Sequence, residues 1–83
     1  MRKHGARKFV AEDADVGRAI RTERKRLGIT QETLAAELGI SHQQLQRFET
    51  GDNRISAGKL WHCARALGVP VLRFYAEIEA RHG

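Results

Sequence analysis

The residues best placed to do chemistry lie in one short stretch, His42-Gln43-Gln44-Leu45-Gln46-Arg47. Wound as a helix at about 100° per residue, it puts Leu45 and Phe48 on one face. Gln43, Gln46, Arg47 and Thr50 then fall on the opposite face, with His42 and Gln44 on the flanks. These side chains are donors and acceptors of medium length. Gln pairs bidentately with adenine and Arg with guanine in the major groove of a duplex, and that groove admits an α-helix. No acidic residue interrupts the stretch before Glu49, so a phosphate-lined groove does not repel it. The same composition also suits an ordinary solvated surface. The choice between the two depends on the elements that carry the stretch.

Those elements read as helices throughout. A first helix pattern starts at Asp13 or Asp15, with an apolar stripe of Val16, Ala19, Ile20 and Leu27, and stops at Gly28. The aspartates suit its first turn, where free N–H groups favour carboxylates. Thr30 is an N-cap for a second helix, with Leu34, Ala35 and Leu38 inward and Gly39 as its stop. Thr33 replaces the Glu or Gln of a full capping box. Ser41 caps the third helix, which Gly51 ends before a turn-rich Asp52-Asn53-Arg54 loop. Ser56 caps a fourth, with Ala57, Leu60, Ala64 and Leu67 as its stripe. Pro70 suits the first position of a fifth, where Val71, Phe74, Tyr75 and Ile78 recur at helical spacing. No period-two strand pattern appears. The expected fold is all-α, a compact five-helix bundle. The Gly39-Ile40-Ser41 join is too short for two helices to lie side by side and suits a steep helix-turn-helix crossing, over about residues 31–50.

Composition narrows the function. The chain has 83 residues, enough for one domain, with a net charge of +5 and a pI near 10.1. That balance favours a polyanionic partner. A single cysteine, Cys63, excludes an internal disulfide, and the scattered histidines do not form a zinc-site spacing. Cys63 reads as a small packing residue on the edge of the fourth helix's stripe. Glu77 and Glu79 do not share a helix face as an acid/base pair would. Neither a signal segment nor a membrane span is apparent. The expectation is a cytoplasmic protein that is not an enzyme, with no metal, no cofactor and no small-molecule ligand. Residues 1–12 carry Arg2, Lys3, Arg7 and Lys8 and read as a basic flexible arm, either a plain tail or a segment that touches nucleic acid. Residues 13–83 form the globular domain. Arg18, Arg21, Lys25 and Arg26 give the first helix a basic face, most simply a solvated one.

The stretch from Gln31 to Phe48 resembles the Cro/repressor-type (XRE-like) helix-turn-helix family of bacterial and phage regulators. The matching positions are Gln31, Ala35, Gly39, Leu45 and Phe48. The flanks match as well: R-x-x-R-x-x-L-G-I-T-Q before, and F-E-T-G with a Leu-rich helix ending A-L-G-V after. The likeness spans about residues 15 to 76. It implies a lambda repressor-like DNA-binding domain and a sequence-specific regulator of transcription. By resemblance, His42, Gln43 and Arg47 read bases, and Gln44 and Gln46 contact flanking bases or phosphate. Gln31 binds a backbone phosphate and braces His42. Ser41, Asn53, Arg54 and Lys59 hold phosphates. Arg24 and Glu49 form an internal salt bridge between the first and third helices.

His42 departs from the Gln common at its position, and histidine changes charge near neutral pH. DNA affinity is therefore expected to fall between about pH 6 and 8, and His42→Gln to remove that dependence. Three reading side chains discriminate by about 1–3 kcal/mol each, which is too little alone. A homodimer on a palindromic operator, acting as a repressor, is the expected arrangement. Trp61, Leu72, Tyr75 and Ile78 are the candidate dimer residues, with core packing as the competing role for Trp61, Tyr75 and Ile78. Two rival functions fit the same residues. One is the antitoxin of a toxin–antitoxin pair, binding DNA and a toxin protein. The other is a protein-interaction module that has lost DNA binding.

Overall fold

The computed structural model describes residues 10–82. Its elements are α1 (Ala11–Arg26), α2 (Gln31–Leu38), α3 (His42–Thr50), α4 (Ala57–Leu67), a 3-10 segment (Val71–Tyr75) and α5 (Ala76–His82). The described residues contain no strand. The helices enclose one core of Val16, Ile20, Leu34, Leu38, Leu45, Phe48, Leu60, Cys63, Leu67 and Phe74 with the small residues Ala35 and Ala64.

Local chemistry sets most of the boundaries. Thr30, Ser41 and Ser56 each sit in extended backbone, and each side-chain oxygen accepts from the N–H three residues on, at Thr33, Gln44 and Lys59. Each such cap contributes about 1 kcal/mol. At the far end of α2, Gly39 adopts φ +70°, and the N–H groups of Gly39 and Ile40 donate to the carbonyls of Ala36 and Ala35. This closes the helix with a paired reverse bond and turns Ile40 back onto the core. The same Leu-Gly-Ile/Val triplet ends α1 and α4, with Ile29 and Val69 packed in the same way.

The principal helix contact is α1 on α3, and it has a steric cause. Gly17 lies buried in mid-α1. A Cβ there would collide with the Phe48 carbonyl oxygen and stand 2.9 Å from that of Glu49. Glycine in a helix interior costs roughly 0.5–1 kcal/mol relative to alanine. That cost is offset here by bringing the α3 backbone against α1.

The structure departs from the sequence expectations in particular places. α1 starts at Ala11, earlier than Asp13 or Asp15. Asp15 is therefore a buried residue of the second turn and not a first-turn carboxylate. Leu27 is the C-cap of α1 and is exposed rather than in the stripe. Ala57 opens α4 on the exposed side, and Cys63 fills the buried place instead. The expected fifth helix begins as a 3-10 segment, and Pro70 is its N-cap, one residue outside. Burial pushes the Cys63 thiol up to about 12, so it is an unreactive packing group. The basic arm lies almost wholly outside the described residues.

Candidate nucleic-acid interface

α3 is fixed to the core by Leu45 and Phe48, both buried. Its outer face carries Gln43, Gln46, Arg47 and Thr50, all exposed, with His42 and Gln44 half-buried at its start. The side chain of Arg47 makes no hydrogen bond or ion pair among the described residues. Gln43, Gln46, Arg47 and Thr50 border a shallow cleft of about 250 Å³.

Behind that face runs a polar chain, buried at Arg24 and Glu49 and half-buried at Gln31 and His42. Arg24 of α1 grips Glu49 of α3 with both ends of its fork, Nε to Oε2 at 2.7 Å and Nη2 to Oε1 at 3.0 Å. Its remaining Nη1 donates to the Ile29 carbonyl at 2.9 Å. The two charged side chains are 8% and 2% exposed. Gln31 Nε2 donates to Glu49 Oε1 at 2.8 Å, and Gln31 Oε1 faces His42 Nε2 at 2.6 Å.

Each polarity in this chain follows from the one before. Arginine only donates and ionised glutamate only accepts. Gln31 must therefore present its NH₂ to Glu49 and its oxygen to His42. His42 must then carry a proton on Nε2. Its Nδ1 is turned toward Glu32, 3.7 Å away. The orientation of a side chain at the start of α3 is thus set by a buried arginine on α1.

The other sequence candidates are placed as follows. Ser41 caps α3, its Oγ accepting from the Gln44 N–H at 3.0 Å. Lys59 Nζ donates to the Leu38 carbonyl at 3.0 Å, so its charge sits at the C-terminal end of α2. Arg54 Nε is held by Asp13 at 3.1 Å. The Asn53 N–H donates to the Arg47 carbonyl, which ties the loop back to α3. Trp61 is 51% exposed and Leu72 is 75% exposed. Trp61 packs edge-on against His62 and beneath the Arg65 guanidinium. Tyr75 and Ile78 are half-buried and border a depression of about 130 Å³ with Val16, Ile55 and Leu60.

Sequence reasoning missed two sets of contacts around α5. Arg81 Nη2 lies 2.6 Å from buried Asp15, which also pairs with Arg18 at 2.6 Å. Arg73 reaches Glu23, whose other partner is Arg26. The Arg81 and Arg73 contacts join the two ends of the domain, and no local pattern announces them. Among the described residues, no group of three His, Cys, Asp or Glu side chains is placed to hold a metal ion. No helix there is long and apolar enough to cross a membrane.

Comparison with known proteins agrees with this geometry. The model of the helix-turn-helix family HTH_3 matches residues 20–74. The "uncharacterized transcriptional regulator in ATPase CF(0) region" of Rhodospirillum rubrum is 48% identical over 67 residues, covering 81% of this chain and 62% of that protein. An HTH-type transcriptional regulator of Sinorhizobium medicae is 43% identical over 65 residues, covering 78% of this chain and 47% of its own. The chain spans roughly half to three-fifths of the length of these curated relatives. Among solved structures, the clp gene regulator ClgR of Corynebacterium glutamicum superposes with a TM-score of 0.81 at 26% identity, over 89% of this chain and 79% of that one. The restriction-modification controller protein C.AhdI of Aeromonas hydrophila gives 0.74 at 26% identity, over 78% and 98%. With its capped α2–turn–α3 unit and a match across most of its length, the chain belongs to the helix-turn-helix family HTH_3.

Proposed function

We propose that this chain binds specific double-stranded DNA through α3 and regulates transcription, acting as a repressor by occupancy of its site. One observation carries the reading. α3 is anchored by two buried side chains and presents Gln43, Gln46 and an uncommitted Arg47 outward, while a half-buried relay orients His42 beside them. Gln43, Arg47 and His42 are assigned to base edges, and Gln44 and Gln46 to flanking contacts. Gln31, Ser41, Asn53, Arg54 and Lys59 are assigned to phosphates. Arg24 and Glu49 are structural. The globular domain, residues 13–83, is the unit of binding.

Base edges read by a few side chains of one copy give limited discrimination, so the bound form is a homodimer on a palindrome. Exposed Trp61 and Leu72, with half-buried Tyr75 and Ile78, are its candidate contacts.

The test is selection of sites from random duplexes at several salt concentrations. One enriched palindrome and a steep fall of affinity with salt are expected. Arg47→Ala is expected to cost about 1–3 kcal/mol on the selected site and to relax the preference at one base position. Equal affinity for selected and scrambled duplexes would overturn the reading.

A further inference from the structure

A second cleft, of about 500 Å³, runs along the other side of α3, between it and α1. Arg18 and Arg21 of α1, Gln31 of α2, and Gln46, Glu49 and Thr50 of α3 line it. Gln46 and Thr50 border both this cleft and the one that holds Arg47. They form a ridge with a hollow on each side.

The charges in this second cleft are unequal in kind. Arg18 is occupied by Asp15 and Glu77. The Glu49 carboxylate is saturated by Arg24 and Gln31, so its charge is compensated inside the protein. Arg21 is different. It is exposed, and its side chain has no ion pair, hydrogen bond or ring contact among the described residues. Of the described arginines only Arg21 and Arg47 share this state, since the others engage Asp13, Asp15, Glu23, Glu49 or Trp61. The two uncommitted guanidinium groups therefore flank the same ridge of the same helix. Neutral donors stand beside Arg21. Gln31 spends one of its two amide protons on Glu49 and keeps the other, and the Gln46 amide has no partner among the described residues. A guanidinium with adjacent amide N–H groups is the donor set that recognises a phosphate oxygen.

We propose that the α1–α3 cleft is a seat for one backbone phosphate of the duplex, with Arg21 as its cation and Gln31 and Gln46 as its neutral donors. The inference rests on the DNA-binding reading above. It adds a contact from α1, which the helix-turn-helix itself does not contain. A phosphate held on one side of the Gln46–Thr50 ridge fixes how deeply α3 sits and where Arg47 meets the bases on the other. Phosphate contacts position a protein on the duplex, and base contacts specify the sequence.

The experiment compares wild type, Arg21→Ala, Arg21→Lys and Lys25→Ala on the selected duplex and on a scrambled one, across a salt series. Lys25 is another exposed cation of α1 that does not line the cleft. Arg21→Ala is expected to weaken both duplexes by a similar factor, about fivefold to twentyfold, and to reduce the salt slope by about 0.9. Arg21→Lys should restore most of the slope but not all of the affinity, because lysine keeps the charge without the fork. Lys25→Ala should change affinity by less than about twofold. Circular dichroism controls for folding, which an exposed helix position should leave intact. Wild-type binding with a normal slope in Arg21→Ala would overturn the seat alone, as would an equal loss in Lys25→Ala. Absence of any duplex binding by wild type would overturn the functional reading with it. Inorganic phosphate is added at constant ionic strength in a further arm. Inhibition of wild type that Arg21→Ala abolishes is expected, because free phosphate and the duplex then compete for the one seat; equal inhibition of both proteins would overturn it.

Discussion

Gln31 Nε2 donates to Glu49 Oε1 across 2.8 Å, and this one bond decides which end of the Gln31 amide faces His42. Glu49 is fixed by Arg24, so the relay has no freedom to reverse. Gln31→Met keeps the side-chain length and removes both polar ends. It is expected to cost about 1–2 kcal/mol of stability, since Glu49 loses a donor. It should also free the His42 ring. Heteronuclear NMR of the imidazole checks this directly: a fixed Nε2–H tautomer in the wild type and tautomer averaging in the variant. An unchanged His42 spectrum would show that the ring is held by something else.

Arg24 and Glu49 are almost fully buried, and the removal of one partner leaves the other charge stranded. Arg24→Met is therefore expected to cost about 3–5 kcal/mol. A small domain has only about 5–15 kcal/mol in total, so the variant should be close to unfolding at physiological temperature. The double variant Arg24→Met/Glu49→Leu removes both charges and should recover most of the loss, because a well-packed apolar pair often equals a buried ion pair. Urea denaturation of Arg24→Met, Glu49→Leu and the double variant closes the cycle. If the double variant is as unstable as the single one, the pair contributes through geometry that apolar side chains cannot replace.

What the sequence discloses follows the range of each interaction. The caps at Thr30, Ser41 and Ser56 and the turn at Gly39 act over three to five residues, so their residue types are diagnostic in place. The outer face of α3 is legible for the same reason, as a consequence of where Leu45 and Phe48 must point. Gly17 gives no such signal. A glycine in a helical pattern reads as a weak spot until the α3 carbonyls lying against it are known. Asp15 reads as a first-turn carboxylate because Arg81, its distant partner, comes from the last helix. Arg21 looks like one solvated cation among four; what sets it apart is that Arg18 and Arg26 are occupied and that Lys25, equally exposed, does not line the α1–α3 cleft.

The close approach at Gly17 makes a paired prediction with Gly58. At Gly17 an added methyl meets α3 backbone that cannot move without moving the whole of α3. Gly17→Ala is expected to destabilise by about 1–3 kcal/mol and to weaken DNA binding in parallel. Gly58 lies in the first turn of α4, its backbone is not left-handed, and no atom stands within 4 Å of the place a methyl would take. Gly58→Ala is expected to be neutral or to stabilise by up to about 1 kcal/mol. Denaturant midpoints measured at unchanged slope separate the two. Equal effects at both positions would mean that α1 and α3 do not approach as closely as their backbones indicate.

α5 has no fully buried residue; Ile78 packs partly against the core, and charged side chains supply its other long-range contacts. The main anchor is Arg81 on Asp15. Arg81 holds the Asp15 carboxyl below its ordinary value of 3.8 against the opposing cost of burial, and the charges of Arg18 and His82 add to the pull. The facing acids are Glu77, against Arg18, and Glu12, against His82. A carboxyl depressed in the folded state binds fewer protons there than in the unfolded chain between the two values. Stability must then rise with pH through that window. The contribution is complete above about pH 4 and is lost as pH falls through the depressed value. Glu23 is depressed in the same direction by Arg26 first and Arg73 second, and adds a parallel loss just below 4.5. The amides of Ala76–His82 should therefore lose hydrogen-exchange protection on acidification before those of α2 and α3. Asp15→Asn should bring that loss to neutral pH and flatten the acid step, while Glu23→Gln should leave the α5 step in place. If α5 stays protected in Asp15→Asn at neutral pH, the half-buried Tyr75 and Ile78 hold the last helix without help from its charges.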